Sequence, residues 1–232
     1  MLKKAATALF LCLVSLASLP TFADQAQPKK ANVVRVGETV YVSGHVKYWA
    51  EGLFESNWRF SPDPSAVKTK RIVFVNTDSS RPETRGGGEL FKRRAEGRGG
   101  VDVVVVGRCD LICAGLYISG KSRTLAPGGY FDLQTPIDRD TNKLETRFPA
   151  TEFAIFESNP LALAHKDVFY EAFTKGGETG GLRVDATSAQ FCESRGPDGD
   201  KGCKNYPLNA LTLGLITSAE PVEIDIPQNL RR

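Results

Sequence analysis

Two short runs along the chain are apolar almost without interruption. Arg71–Asn76 reads RIVFVN, and Val101–Val106 reads VDVVVV before ending at Gly107. Runs this short, rich in β-branched residues and lacking alternation, predict strands buried on both faces of a parallel sheet. Thr39–Val46 (TVYVSGHV) alternates like a half-buried strand and contains Gly44. Ala50–Phe60 has aromatics and Leu53 at helical spacing, and Glu89–Glu96 reads as a basic amphipathic helix. Further on come a short strand at Tyr130–Leu133, a strongly periodic helix at Pro160–Thr174, a helix at Asn209–Ile216 and a last strand at Val222–Ile226. Strands and helices alternating at this spacing predict βαβ units in a single α/β domain with a mainly parallel sheet.

Val101–Arg123 (VDVVVVGRCDLICAGLYISGKSR) is the most informative stretch. The buried strand feeds directly into an apolar helix, and Cys109 and Cys113 sit four residues apart at the helix mouth. Open α/β sheets build their sites at such strand-to-helix junctions. Leu111 occupies the position between the two cysteines. Gly120–Arg123 reads as the turn that ends the helix, where Lys121 and Arg123 favour the negative end of its dipole.

The N-terminus has the form of a secretory signal peptide. Lys3 and Lys4 precede an apolar run from Ala5 to Leu19, and Thr21-Phe22-Ala23 supplies a small-residue exit. At about 15 residues the run is shorter than a membrane-spanning helix requires, so no stable span is expected after cleavage. Phe10 and Leu11 before Cys12 are too bulky for lipid-modification processing, so Cys12 is lost with the signal. Residues 1–23 are thus expected to be removed, residues 24–33 to form a polar leader, and residues 34–232 one domain, located in the periplasm or secreted. The formal charge of +3 falls when Lys3 and Lys4 are lost. That balance gives no argument for nucleic acid or an anionic membrane.

Cys109, Cys113, Cys192 and Cys203 remain. An even count in an exported chain reads as disulfides, and four cysteines permit three connectivities. The local pairing, Cys109–Cys113 with Cys192–Cys203, is favoured. The second closes a Gly-rich polar loop and is worth about 2–3 kcal/mol. A zinc site combining these cysteines with His45 or His165 is disfavoured by spacing and compartment. No metal or cofactor is expected.

Taken in order, Ser43-Gly44-His45, Val73–Asn76, Cys109–Cys113, Gly120-Lys121-Ser122-Arg123 and Leu213–Thr217 resemble the Clp-protease/crotonase superfamily. Within it they look most like an exported bacterial branch related to the proteolytic subunit of the Clp protease. The resemblance runs from about Val34 to Pro227. It implies a spiral of βαβ units and a serine nucleophile between the two cysteines, activated by a histidine.

The chain departs from that pattern at three places. The serine position is Leu111, which has no nucleophilic atom. The histidine position is Asp132. The glycine loop that would donate N–H groups to an oxyanion reads Thr77-Asp78-Ser79-Ser80. Each change alone costs orders of magnitude in rate. The chain therefore reads as a pseudoenzyme that binds a peptide or protein partner through a remnant cleft at Leu111, Asp132, Asp78, Ser79 and Ser80. Addition of a peptide to a strand edge needs backbone groups and no nucleophile. A serine-type hydrolase with a relocated site, using Ser119 or Ser122 near Lys121, is the second reading. An oligomeric scaffold subunit is the third. Arg85-Gly86-Gly87-Gly88 lacks the Gly-Lys-Ser/Thr of a phosphate loop and reads as a helix entry. Lys92, Arg93, Arg94 and Arg98 read as a solvated helix face, and His45 and His165 as structural or surface histidines.

Overall fold

The structure, a computed structural model, describes residues 32–44, 69–77, 100–118, 120–135, 159–176 and 179–230. The expected signal segment, the expected helices at Ala50–Phe60 and Glu89–Glu96, His45, Arg85–Gly88 and Lys92, Arg93, Arg94 and Arg98 lie outside these residues.

Two five-stranded sheets form the framework. The first contains β1 (Asn32–Val36), β2 (Thr39–Gly44), β3 (Arg71–Thr77), β4 (Asp102–Val106) and β6 (Ser122–Leu125), in the order β1-β2-β3-β4-β6. Only the β1–β2 hairpin within it is antiparallel. The second contains β5 (Arg108–Asp110), β7 (Tyr130–Leu133), β8 (Gly181–Val184), β9 (Ala189–Cys192) and β10 (Lys204–Tyr206), in the order β10-β9-β8-β7-β5. Its β5–β7 pair is parallel and the other pairs are antiparallel. The expected mainly parallel sheet is therefore the first one, and of the second only β7 was expected as a strand.

The chain passes from sheet to sheet as it advances. β4 lies in the first sheet and β5 in the second. Helix α1 (Leu111–Tyr117) returns the chain to β6 beside β4, and β7 then lands beside β5. This is the expected spiral, and β4, β5 and α1 make a turn of strand, strand and helix. Gly107 makes the first sheet change possible. Its φ of 69° suits glycine, and a Cβ there would meet Asn76 Oδ1 at 2.0 Å. Asn76 Oδ1 accepts from Arg108 N at 3.2 Å, and Thr77 Oγ1 donates to Arg108 O at 3.3 Å, which ties the ends of β3 and β5 together.

The apolar runs are buried on both faces because the first sheet has two covers. On one face Val40, Val42, Ile72, Phe74, Val103 and Val105 join the main core with α1, the second sheet and α3 (Lys166–Lys175). On the other, Tyr41, Val73, Val75 and Val104 pack under Ile224, Ile226 and Leu230 of a C-terminal strap. Each such aliphatic side chain contributes about 1.5–3 kcal/mol on burial.

Several expectations are corrected. Val222–Ile226 does alternate, but it forms no strand: Val222 N donates to Leu125 O at 3.2 Å, and Ile224 and Ile226 lie on the face of the sheet. Asn209–Ile216 is a run of turns. Asn209 Oδ1 accepts from Leu211 N and Thr212 N, and Gly214 at φ 69° stops any helix. Pro160–Thr174 is split at His165 (φ −114°, ψ 30°) into α2 (Pro160–Ala164) and α3. Ser122–Arg123 belongs to a strand, although Arg123 does reach back to the helix end, donating to Ile118 O at 3.1 Å. β1 begins at Asn32, two residues inside the expected leader.

Candidate partner-binding site at the strand-to-helix junction

β5 ends at Asp110 and α1 begins at Leu111 with no intervening loop. Asp110 makes this sharp entry stable. Its backbone is extended (φ −80°, ψ −174°), and Oδ1 accepts from Cys113 N at 3.0 Å, as an N-cap aspartate does. The Cys109–Cys113 disulfide spans the same turn with its Cα atoms 5.3 Å apart, and both residues are fully buried. Leu111 is 4% exposed and belongs to the main core. The position to which the resemblance assigns a nucleophile is thus a packed aliphatic side chain. The sequence reading overlooked Asp110, though an aspartate directly before an apolar helix is a recognisable cap signal.

Asp132 lies on the neighbouring strand. The parallel register sets it opposite Asp110, and Arg108 opposite Tyr130. Arg108 Nε is 2.9 Å from Asp132 Oδ2, with the aspartate side chain 7% exposed. The antiparallel pairs continue the row, with Asp132 opposite Arg183, Arg183 opposite Gln190, and Gln190 opposite Asn205. Side chains alternate faces along a strand. One face of the second sheet therefore carries Asp110, Asp132, Arg183, Gln190 and Asn205 across all five strands. The intervening Cys109, Phe131, Val184 and Ala189 face the core.

Arg183 is held on this polar face, and one further arginine, Arg195, completes it. The Arg183 guanidinium lies 4.9 Å from the centroid of the Tyr130 ring, a cation–π contact. Arg195 is fixed by Nη1 to Gly181 O and Nη2 to Gln190 O, each 3.0 Å, and its Nε is 3.7 Å from Asp200 Oδ2. Burial lowers the Arg195 pKa, and repulsion from Arg183 lowers it further, against the opposing pull of Asp132, Asp200 and Tyr130. Arg108, Arg183 and Arg195 thus gather around one buried carboxylate.

The structure places Leu111 at the start of α1, directly after β5, and Asp132 on the adjacent strand β7, while Asp78, Ser79 and Ser80 lie outside the described residues. Thr77, next to that loop, is buried and bonded to Arg108 O. Both disulfides take the local pairing. Among the described residues the grouping with metal-ligand character is Cys192, Asp200 and Cys203, whose ligand atoms lie within 4.8 Å of one another. Its two sulfurs are joined to each other, so neither is a thiolate donor. His165 lies apart from it, at the α2–α3 break.

No protein-family model matches the chain, and no curated protein matches it. Among solved structures it is similar to an enoyl-CoA hydratase/isomerase from Marinobacter aquaeolei, at 12% identity and a TM-score of 0.40, over 68% of this chain and 65% of that one. It is also similar to the human enoyl Coenzyme A hydratase domain-containing protein 3, at 10% identity and a TM-score of 0.39, over 60% of this chain and 62% of that one. The chain spans less than two thirds of the length of each.

Proposed function

We propose that this is an exported, non-catalytic protein of the Clp-protease-like branch that binds a peptide or protein partner beside the strand-to-helix junction. One observation carries the reading: Leu111 is buried where a nucleophile would stand. Its neighbours are already committed to structure. Asp110 caps the helix, Cys109 and Cys113 are bonded to each other, and Asp132 is paired with Arg108. Export is supported by the Lys3-Lys4 start, the apolar run behind it and the two disulfides. Among the described residues no helix is long and apolar enough to cross a membrane.

Partner binding is assigned to a face instead of an edge. At Arg108 the outer edge of β5 is occupied, because its N–H donates to Asn76 and its carbonyl accepts from Thr77. The polar face of the second sheet is the surface available beside the junction. The test is retention of peptides from a synthetic library by the mature protein, with the bound fraction read by mass spectrometry. Intact bound peptides are expected. Cleaved peptides would make the protein a hydrolase with a relocated site, and self-assembly without peptide retention would make it a scaffold.

A further inference from the structure

The two disulfides sit in opposite surroundings. Cys109 and Cys113 are both fully buried in the main core, whereas Cys192 is buried and its partner Cys203 is exposed. Thiol–disulfide exchange begins with a thiolate reaching a sulfur, so access decides which bond a reductant meets. Cys203 offers that access, and the Cys109–Cys113 bond does not.

The Cys192–Cys203 bond also has a segment to release. Lys204 pairs with Phe191, so the next step of the antiparallel ladder sets Cys203 opposite Cys192. Beyond the bond the chain turns back through residues 193–202, and residues 196–203 are exposed. The two arms of this turn are held unequally. Arg195 anchors the outgoing arm: its N–H donates to Thr179 Oγ1 at 3.1 Å and its guanidinium to Gly181 O and Gln190 O. The returning arm, residues 199–203, rests on backbone bonds from Lys201 to Glu193 and Ser194, on Asp200 beside Arg195, and on the disulfide. Past Cys203 the chain is fixed again, because Lys204 and Tyr206 are tied to Glu171 of α3. Breaking the disulfide therefore loosens one arm between two fixed points.

We infer that Cys192–Cys203 is a redox switch, opened by a dithiol reductant while Cys109–Cys113 stays closed. A reductant thiolate attacks Cys203 Sγ, and the Cys192–Cys203 bond breaks as the mixed disulfide forms. Cys192 leaves as a thiolate and takes up a proton. The second thiol of the reductant then attacks the mixed disulfide at the reductant's own sulfur, and Cys203 leaves and is protonated in turn. The protein gains two electrons and two protons, and the reductant ends as its internal disulfide. The freed arm carries Asp200 away from Arg195, so the charge beside the polar face of the second sheet is more positive in the reduced form.

The experiment equilibrates the mature protein with graded dithiothreitol, alkylates the free thiols, and locates them by mass spectrometry. Hydrogen exchange is followed over the same series. Cys192 and Cys203 are expected to open at a dithiothreitol concentration at least about tenfold below that needed for Cys109 and Cys113. Exchange over residues 193–203 should then quicken by about tenfold or more, as the Glu193, Ser194 and Lys201 amides lose their partners, while exchange over residues 109–117 stays unchanged. Re-oxidation should restore both. A Cys192→Ala/Cys203→Ala variant should exchange fast over the same residues at every dithiothreitol concentration. Opening of both disulfides together, or of Cys109–Cys113 first, overturns the inference. So does reduction that leaves exchange over residues 193–203 unchanged, or that abolishes the circular dichroism of the wild type. These outcomes are independent of whether the protein retains peptides.

Discussion

Arg108 Nε lies 2.9 Å from Asp132 Oδ2, joining the two strands of the second sheet that run parallel. Asp132 is nearly buried whereas Arg108 is 29% exposed, so the two ends of this pair are unequal. Removing the arginine leaves a buried carboxylate without its counter-charge, and removing the carboxylate leaves a cation that reaches water.

Arg108→Met is therefore expected to destabilise the fold by about 2–4 kcal/mol, and Asp132→Asn by less. Urea unfolding of the two single variants and the double variant measures this. The double variant should cost less than the two single changes added together. Equal costs for the two single variants would show the asymmetry argument to be wrong.

Arg123 holds the end of α1 against the 213–217 turn. Its guanidinium donates to Ile118 O, Gly120 O, Gly214 O and Leu215 O, each at 3.1 Å. Burial lowers its pKa, and the nearby Tyr117 opposes that shift. Arg123→Lys keeps the charge but cannot span four carbonyls. A loss of about 2–3 kcal/mol is expected in either Arg123→Lys or Arg123→Met, read as a lowered urea midpoint. Full rescue by lysine would show that charge alone matters at this position.

For catalysis the expected outcome is no labelling of the wild-type mature protein by a fluorophosphonate probe. Leu111→Ser should remain inactive and should lose about 2–4 kcal/mol of stability, because the change removes core volume. On the proposed alignment, adding Asp132→His supplies a base, and Ser79→Gly with Ser80→Gly removes side chains that would block approach to backbone N–H groups, so weak esterase turnover is the expected gain. Stoichiometric labelling of one wild-type serine, abolished by mutating it, contradicts the pseudoenzyme reading.

Glu171 on α3 makes the acid limb of stability predictable. The Tyr206 hydroxyl donates to it, and Lys204 and Lys175 lie 3.3 Å and 3.5 Å from its oxygens. The Tyr206 hydrogen bond, together with the two lysines, holds its carboxyl below the ordinary value although burial pushes the other way. A folded-state pKa below the unfolded one gives stability that is complete above the unfolded value and is lost as pH falls through the folded one. Unfolding curves between pH 6 and pH 2.5 should show that loss beginning near the ordinary glutamate pKa of about 4.3. Glu171→Gln should flatten the limb, and an unchanged slope would remove Glu171 as its source.

Legibility in the sequence followed how local each feature is. β3, β4, β7 and the entry to α1 were readable because continuous apolar runs and a helix mouth leave their mark within a few residues. β8, β9 and β10 were not, because GLRV, AQFC and KNY are too short to show a period and are strands only through their neighbours. The C-terminal segment shows the opposite case. Val222, Ile224 and Ile226 alternate as a strand would, yet alternation records only that one side is buried. Asp132 was picked out from the chain, but its arginine neighbours were not. Arg108, Arg183 and Arg195 come together only through sheet register and a hairpin.

The strap over the first sheet also sets an order of events. The Tyr41 hydroxyl donates to the carbonyl of Asp225, 184 positions later in the chain, and Ile224, Ile226 and Leu230 cover strands made long before them. While the chain is being made, one side of β2, β3 and β4 waits uncovered until residues 224–230 arrive. Contacts of such long separation slow folding because their loop entropy must be spent before any burial is gained.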